Sequence, residues 1–185
     1  MAVDPLAELV TRTAAGDRVA FAQLYRELER PLYRFITSRL NDPQRASDIS
    51  HDVFLQLWRD ASAFEGRSRV KTWVFAMAFR KVIDVYRRDK RLVFGDDLPE
   101  QEDESPNAEA CLLAVEESES IRACLETLGA HHRAVIELTF MEDMSYSEVA
   151  QVTGIPEGTV KSRVYHAKQL LLRCLSGRLE VKSDR

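Results

Sequence analysis

The chain has 185 residues, of which 45% are apolar and 30% charged, with a formal net charge of −4 at pH 7. That length suffices for one medium domain or two small ones, each burying its own core. No run approaches the roughly eighteen apolar residues of a membrane-spanning helix, and the opening MAVDPLAELV lacks the basic and apolar regions of a secretion signal. Membrane insertion is therefore not expected, and the cytoplasm is the expected location.

Asp4-Pro5 has the form of an N-cap and first-turn proline, opening a helix that Gly16 closes. Asp17 can cap the next helix, in which Phe21, Leu24, Tyr25 and Leu28 have helical spacing. Pro31 is expected to break or kink that pattern before Leu32, Phe35, Ile36 and Leu40 resume it. Asp42-Pro43 repeats the cap signal, and the helix it starts runs to about Ala61 with Ile49, Val53, Phe54, Leu57 and Trp58 as its apolar stripe. The polar side of that helix carries Asp48, His51, Asp52 and Gln56.

A short polar loop, residues 62–68, leads to a helix over about 69–91 that interleaves aromatic and basic residues. Trp73, Phe75, Met77 and Val82 lie where a helix can bury them, while Arg80, Arg87 and Arg91 share another flank beside Lys81 and Arg88. Basic side chains neutralise phosphates and aromatic ones can stack on an unpaired base, so the segment is a candidate nucleic-acid surface. The plainer reading makes the aromatics core and the arginines solvated, with Asp84 pairing Arg88 at i, i+4. It suits the tryptophan better than the arginines, whose excess charge lacks acidic partners on the same helix.

Residues 92–105 are acidic, with Gly and Pro, and have too little apolar surface to offset their ordering entropy; they read as a flexible linker. The charge distribution agrees. Residues 1–91 carry 17 Lys/Arg against 12 Asp/Glu, residues 92–120 carry none against 10, and residues 121–185 carry 9 against 8. Two lobes without excess acid flank an acidic connector, and it is local clustering that decides nucleic-acid binding. Cys111, Cys124 and Cys174 lack the CxxC spacing of a zinc site and fall in helical patterns; they read as small core residues, with redox sensing the lesser alternative.

Ser105-Pro106 restarts a helix to about Leu128, which Gly129 ends. His131 and His132 are adjacent and so point to different flanks, and no glycine-rich phosphate loop or HExxH occurs. An enzyme is thus a weak alternative, and no metal or cofactor is expected.

Residues 145–172, SYSEVAQVTGIPEGTVKSRVYHAKQLLL, carry the sharpest local signal. Ser145 with Glu148 three residues on forms a capping box, Gly154 supplies a left-handed helix end, and Pro156 suits the first turn of a second helix. In that second helix Val160, Val164, Ala167 and Leu171 form one apolar stripe, leaving Lys161, Arg163, Tyr165, His166 and Lys168 toward solvent or a ligand. Two such helices crossing through a glycine turn make a helix-turn-helix, whose second helix enters the major groove. No strand pattern occurs; the fold class is all-α, in two helical domains.

Taken together, RASDISHDVFLQLW at 45–58, FEGRSRVKTWVF at 64–75, IDVYRR at 83–88 and SEVAQVTGIPEGTVKSRVYHAKQLL at 147–171 resemble the extracytoplasmic-function (group IV) sigma factors of bacterial RNA polymerase. The resemblance implies sigma region 2 over 1–91, an acidic linker over 92–105 and sigma region 4 over 106–185. It implies a first lobe that docks on the β′ clamp helices of core polymerase and opens the −10 element, and a second that docks on the β flap and reads the −35 element. Asp48, His51, Asp52, Phe54, Leu55 and Trp58 fall in the family's core-binding helix, with His51 where glutamine is commoner. Phe64, Arg67, Arg69 and Lys71 match the loop that holds a flipped −10 base, and Arg80, Lys81, Arg87 and Arg88 the recognition helix after it. Arg80 stands where the family has an asparagine associated with base readout. Thr159, Lys161, Ser162, Arg163, His166 and Lys168 fall in the −35 recognition helix, with His166 and Lys168 where arginines are frequent. An anti-sigma factor is the expected regulator, and the linker is expected to thread toward the polymerase active-site and RNA-exit channel. The competing reading, a conventional helix-turn-helix regulator acting without polymerase, leaves the first lobe unexplained.

Overall fold

A computed structural model describes residues 4–40, 42–93 and 118–183; the acidic connector from 94 onward, the helix start at Ser105-Pro106 and Cys111 lie outside these. Eight α-helices are found among the described residues: α1 Ala7–Ala14, α2 Arg18–Leu40, α3 Pro43–Asp60, α4 Val70–Val93, α5 Ser118–Thr127, α6 Ala130–Ile136, α7 Tyr146–Thr153 and α8 Glu157–Ser183. No strand occurs among them. Helices α1 to α4 make the first lobe and α5 to α8 the second.

Aspartate side chains cap the starts of α2, α3 and α4. Asp42 is the N-cap of α3, its carboxylate accepting from Arg45 N at 3.1 Å, with Pro43 in the first turn. Asp17 caps α2 by accepting from Val19 N at 2.8 Å and Ala20 N at 3.1 Å. Asp4 accepts from Leu6 N at 3.0 Å and, with its other oxygen, from Val70 N at 2.6 Å, so one carboxylate caps α4 and ties it to the chain's N-terminal turn. Gly16, at φ 87°, turns the chain between α1 and α2.

Pro31 neither ends nor interrupts α2, which is continuous from Arg18 to Leu40. Proline removes one backbone bond, and here Leu24, Leu28, Leu32, Phe35 and Ile36 lie on one buried face across it. The packing of that face outweighs the local loss. Ring contacts tie the helices of the first lobe: Phe35 on Phe75 at 5.0 Å, Tyr25 on Phe54 at 4.4 Å and Phe21 edge-on to Trp58 at 5.1 Å.

In the second lobe, Cys124 of α5 and Cys174 of α8 form a disulfide, Cα to Cα 5.8 Å, across 50 residues of sequence. This corrects the expectation of unlinked core cysteines. Cys124 is fully buried, as a small core residue should be, but its partner is brought beside it only by the fold. The buried apolar residues form one cluster that spans both lobes, from Val10 and Leu24 through Val74 and Val82 to Val149, Val160 and Ala167.

Candidate nucleic-acid interface

The helix-turn-helix is built as its spacing predicts. Ser145 Oγ accepts from Glu148 N at 3.3 Å while the Glu148 carboxylate accepts from Ser145 N at 2.9 Å, closing the capping box. Gly154 ends α7 at φ 73°, donating its amide to Ala150 O at 2.8 Å. Val160, Val164 and Ala167 are fully buried, which fixes the rotation of α8. Lys161 and Ser162 are exposed, Lys161 pairing with Glu157 at 3.1 Å and Ser162 donating to Thr159 O at 3.0 Å; Thr159 is half-buried. Lys168 is exposed and lies 4.9 Å from the Phe140 ring. Half-buried His166 stands edge-on to Tyr165 at 5.5 Å. Tyr165 departs from the expectation of a solvent-facing residue, since its hydroxyl oxygen is buried.

On α3, Asp48, His51, Asp52 and Leu55 are exposed, and Leu55 keeps 59% of its surface. Phe54, of the expected docking set, is 3% exposed and packs on Tyr25, so it supports this helix from beneath, in keeping with its place in the apolar stripe. Trp58 is half-buried against Phe21. Asp48 and Asp52 border a 310 Å³ groove between α3 and α4, shared with Arg45 and Arg88.

Phe64 packs on Trp73 at 5.1 Å, and Arg67, 85% exposed, pairs with nearby Glu65 at 2.5 Å. Arg80 is exposed, its Nε donating to Ala76 O at 3.1 Å. Lys81 reaches Asp52 at 3.7 Å, which brings a candidate DNA contact against the candidate docking edge. The expectation that the arginines of α4 lack acidic partners on their own helix needs correction: Asp84 lies 3.8 Å from Arg87 and gives Arg88 only its backbone carbonyl, at 3.3 Å.

Arg69 and Lys71 do not face solvent alone. Arg69 donates through Nε and Nη2 to both oxygens of Glu148, and Nη2 also reaches Asp143 O at 3.2 Å. Lys71 Nζ is 2.8 Å from Glu142 Oε2, while Arg34 Nη2 is 2.7 Å from Oε1. Arg39 is buried with Glu137 at 2.7 Å, where Ser38 Oγ also donates to Glu137 at 2.9 Å. These contacts cross between the lobes, and sequence reasoning missed them. A signal was present: Glu137 stands alone among Ala134, Val135, Ile136 and Leu138, and Arg39 extends the stripe of Phe35 and Ile36. Isolated charges on apolar faces call for a partner.

Burial holds the His132 imidazole below its usual pKa, with Arg163, His166 and His131 adding repulsion of its charged form. Among the described residues, no group of three or more His, Cys, Asp or Glu is placed to hold a metal ion, and no helix is long and apolar enough to cross a membrane.

The described lobes coincide with two family models, sigma-70 region 2 over residues 24–92 and sigma-70 region 4 over residues 118–171. The chain is also 33% identical over 171 residues to the ECF RNA polymerase sigma factor SigM of Mycobacterium tuberculosis, covering 91% of this chain and 84% of that one. The chain belongs to the extracytoplasmic-function sigma factors. Another similar sigma factor is RpoE of Cereibacter sphaeroides, 29% identical over 161 residues, with 86% of this chain and 88% of that one covered. Among solved structures, the sigma factor RpoE of Bartonella quintana, in complex with the anti-sigma factor NepR, matches with a TM-score of 0.66 at 25% identity, covering 84% of this chain and 96% of that one. CnrH, solved with the cytosolic domain of CnrY, shares the fold with a TM-score of 0.67 at 24% identity, over 92% of this chain and 97% of that one. As a sigma factor, the protein binds core RNA polymerase and directs initiation at specific promoters.

Proposed function

We propose that residues 1–91 dock on core polymerase and open the −10 element, that residues 106–185 read the −35 element, and that the acidic segment 92–105 links them. The exposed edge of α3, with Asp48, His51, Asp52 and Leu55, is the docking surface, and Trp58 braces it. Arg67, Arg69, Lys71, Arg80, Lys81, Arg87 and Arg88 hold the −10 strands, with Phe64 beside a flipped base. Capture of extruded non-template bases offsets the few kcal/mol that unstacking costs. Thr159, Lys161, Ser162 and Arg163 approach base edges from the N-terminal end of α8, and His166 and Lys168 approach the backbone. The protein works by binding in the cytoplasm and leaves the chemistry to polymerase, and an anti-sigma factor holds it inactive by covering its polymerase-binding faces, as the NepR-bound relative suggests.

The observation that carries this reading is the order of a region 2 lobe with an exposed acidic edge followed by a capped helix-turn-helix. Asp48→Arg combined with Asp52→Arg should abolish capture of core polymerase in a pull-down while circular dichroism stays that of the wild type. Retained capture would remove α3 as the docking surface.

A further inference from the structure

The loop assigned above to a flipped −10 base, residues 64–69, has both its ends fixed by one element, the N-terminal helix α1 and the turn that leads into it. At the entrance α1 packs against the 3-10 turn Ala61–Ala63, and Phe64 N donates to Ala61 O at 3.3 Å as the chain leaves that turn. At the exit Asp4 accepts from Val70 N at 2.6 Å, across 66 residues of sequence. Between these ends the backbone turns through Gly66 at φ 69°, and Arg67 stands open to solvent. The remote carboxylate answers a local deficiency. Trp73 N donates to Arg69 O at 3.0 Å, which makes Arg69 the N-cap of α4, and an arginine side chain has no acceptor to offer the orphan amides of the first turn. Asp4 supplies the acceptor from outside the helix. Its carboxylate is set in place by its own turn: Oδ1 accepts from Leu6 N at 3.0 Å, Asp4 O accepts from Ala7 N at 3.0 Å, and Pro5 fixes φ between them. Val10 and Val70 are buried in one apolar cluster with Leu6 and Leu9 packed against it, so both partners of the bond are anchored, and the bond lies wholly within the first lobe.

We propose that Asp4 is a positioning residue for promoter opening: by capping α4 from the N-terminal turn it fixes the exit of the 64–69 loop, so that Phe64 and Arg67 are already ordered when a −10 base is extruded. The proposal rests on the assignment of Phe64 and Arg67 to the −10 interface. Asp4 acts through the backbone of α4, whereas Phe64 and Arg67 face the base. A loop ordered beforehand leaves the whole free energy of capture to offset unstacking, while a loose loop loses part of it to its own ordering.

The test compares wild type, Asp4→Ala, Asp4→Asn and Asp17→Ala in holoenzyme, on the promoter it transcribes most strongly, either fully duplex or with the −10 region unpaired by mismatches. Asp17→Ala removes the cap of α2, where the carboxylate accepts at 2.8 and 3.1 Å, and so controls for a plain loss of fold stability. Permanganate reactivity of the −10 thymines reports opening. Losing a cap shifts an equilibrium by roughly fivefold, and Asp4→Ala should lower duplex opening by about that factor. Asp4→Asn, which keeps one acceptor oxygen, should fall between it and wild type. Association with core polymerase and initiation from the unpaired template should match wild type, since no base has to be captured to open that template. Asp17→Ala should open the duplex like wild type. In the free chain, hydrogen exchange over residues 64–72 should quicken in Asp4→Ala and not in Asp17→Ala. Equal losses of opening for Asp4→Ala and Asp17→Ala, equal losses on duplex and unpaired templates, or unchanged opening in Asp4→Ala would overturn the proposal. Should Asp4→Ala fail to fold, Asp4→Asn decides by the same comparisons. Duplex opening unchanged in Phe64→Ala would instead overturn the −10 assignment of the loop, while hydrogen exchange would still decide whether Asp4 holds it.

Discussion

Glu148 closes the capping box of α7 and takes the guanidinium of Arg69, and these donors, with Thr72, hold its carboxyl at about 2 against an ordinary 4.5. A carboxyl depressed in the folded state stabilises it fully above 4.5, and that contribution shrinks as pH falls from about 4.5 and is gone once pH has passed through about 2. Mild acid therefore leaves this contact intact. His132 titrates nearer neutrality: burial lowers its folded pKa below 6.5, so the unfolded chain takes up a proton first and stability falls as pH drops below about 6.5. His132→Gln should flatten the dependence of the urea midpoint on pH between about 7.5 and 5.5, and an unchanged slope would place the titration elsewhere. Arg163 and Lys168 separate readout from backbone contact. In holoenzyme, Arg163→Ala should cost about 1–3 kcal/mol on the cognate −35 element and much less on scrambled DNA. Lys168→Ala should weaken both DNAs alike and reduce the salt slope by about one. Equal losses on both DNAs for Arg163→Ala would move that residue among the phosphate contacts.

At the scale of elements, the caps were the legible part. Asp17, Asp42-Pro43, Ser145 with Glu148, and Gly154 all act within a few residues of themselves, so spacing alone reveals them. The depth of a stripe on one helix was legible too, as Val160, Val164 and Ala167 show. What the spacing misjudged depends on a second element: Pro31 is carried through by the face it shares with α3 and α4, and Cys174 meets Cys124 across the α5 to α8 packing. The cross-link gives this last contact a measurable weight. Closing 50 residues of sequence restricts the unfolded chain, so Cys174→Ser should destabilise lobe two by about 2–4 kcal/mol. Thermal unfolding with and without dithiothreitol provides the same comparison on the unmutated chain. A transition indifferent to both would mean that the bond does not form in solution.

Across the whole molecule, charge works in two opposed ways, and salt distinguishes them. Promoter binding by holoenzyme releases counterions from phosphates and should weaken steeply as salt rises. In the free chain the lobes close on each other through pairs that salt reaches unequally. Arg69, 51% exposed, is open to screening, while Arg39 with Glu137 and the carboxylate of Glu142 are buried and screened far less. Around them Val135, Ile136, Val149, Val74 and Val82 belong to one apolar cluster, whose contribution salt does not diminish. The hydrodynamic radius of the free chain should therefore stay nearly constant from about 0.1 to 1 M NaCl, a range that shortens the screening length from about 10 to 3 Å. In Glu142→Gln the remaining closure leans more on exposed Arg69, and the radius should grow over the same range. Swelling of the wild-type chain along with the variant would show that exposed pairs carry the closure and that the buried Arg39 to Glu137 pair contributes little to it.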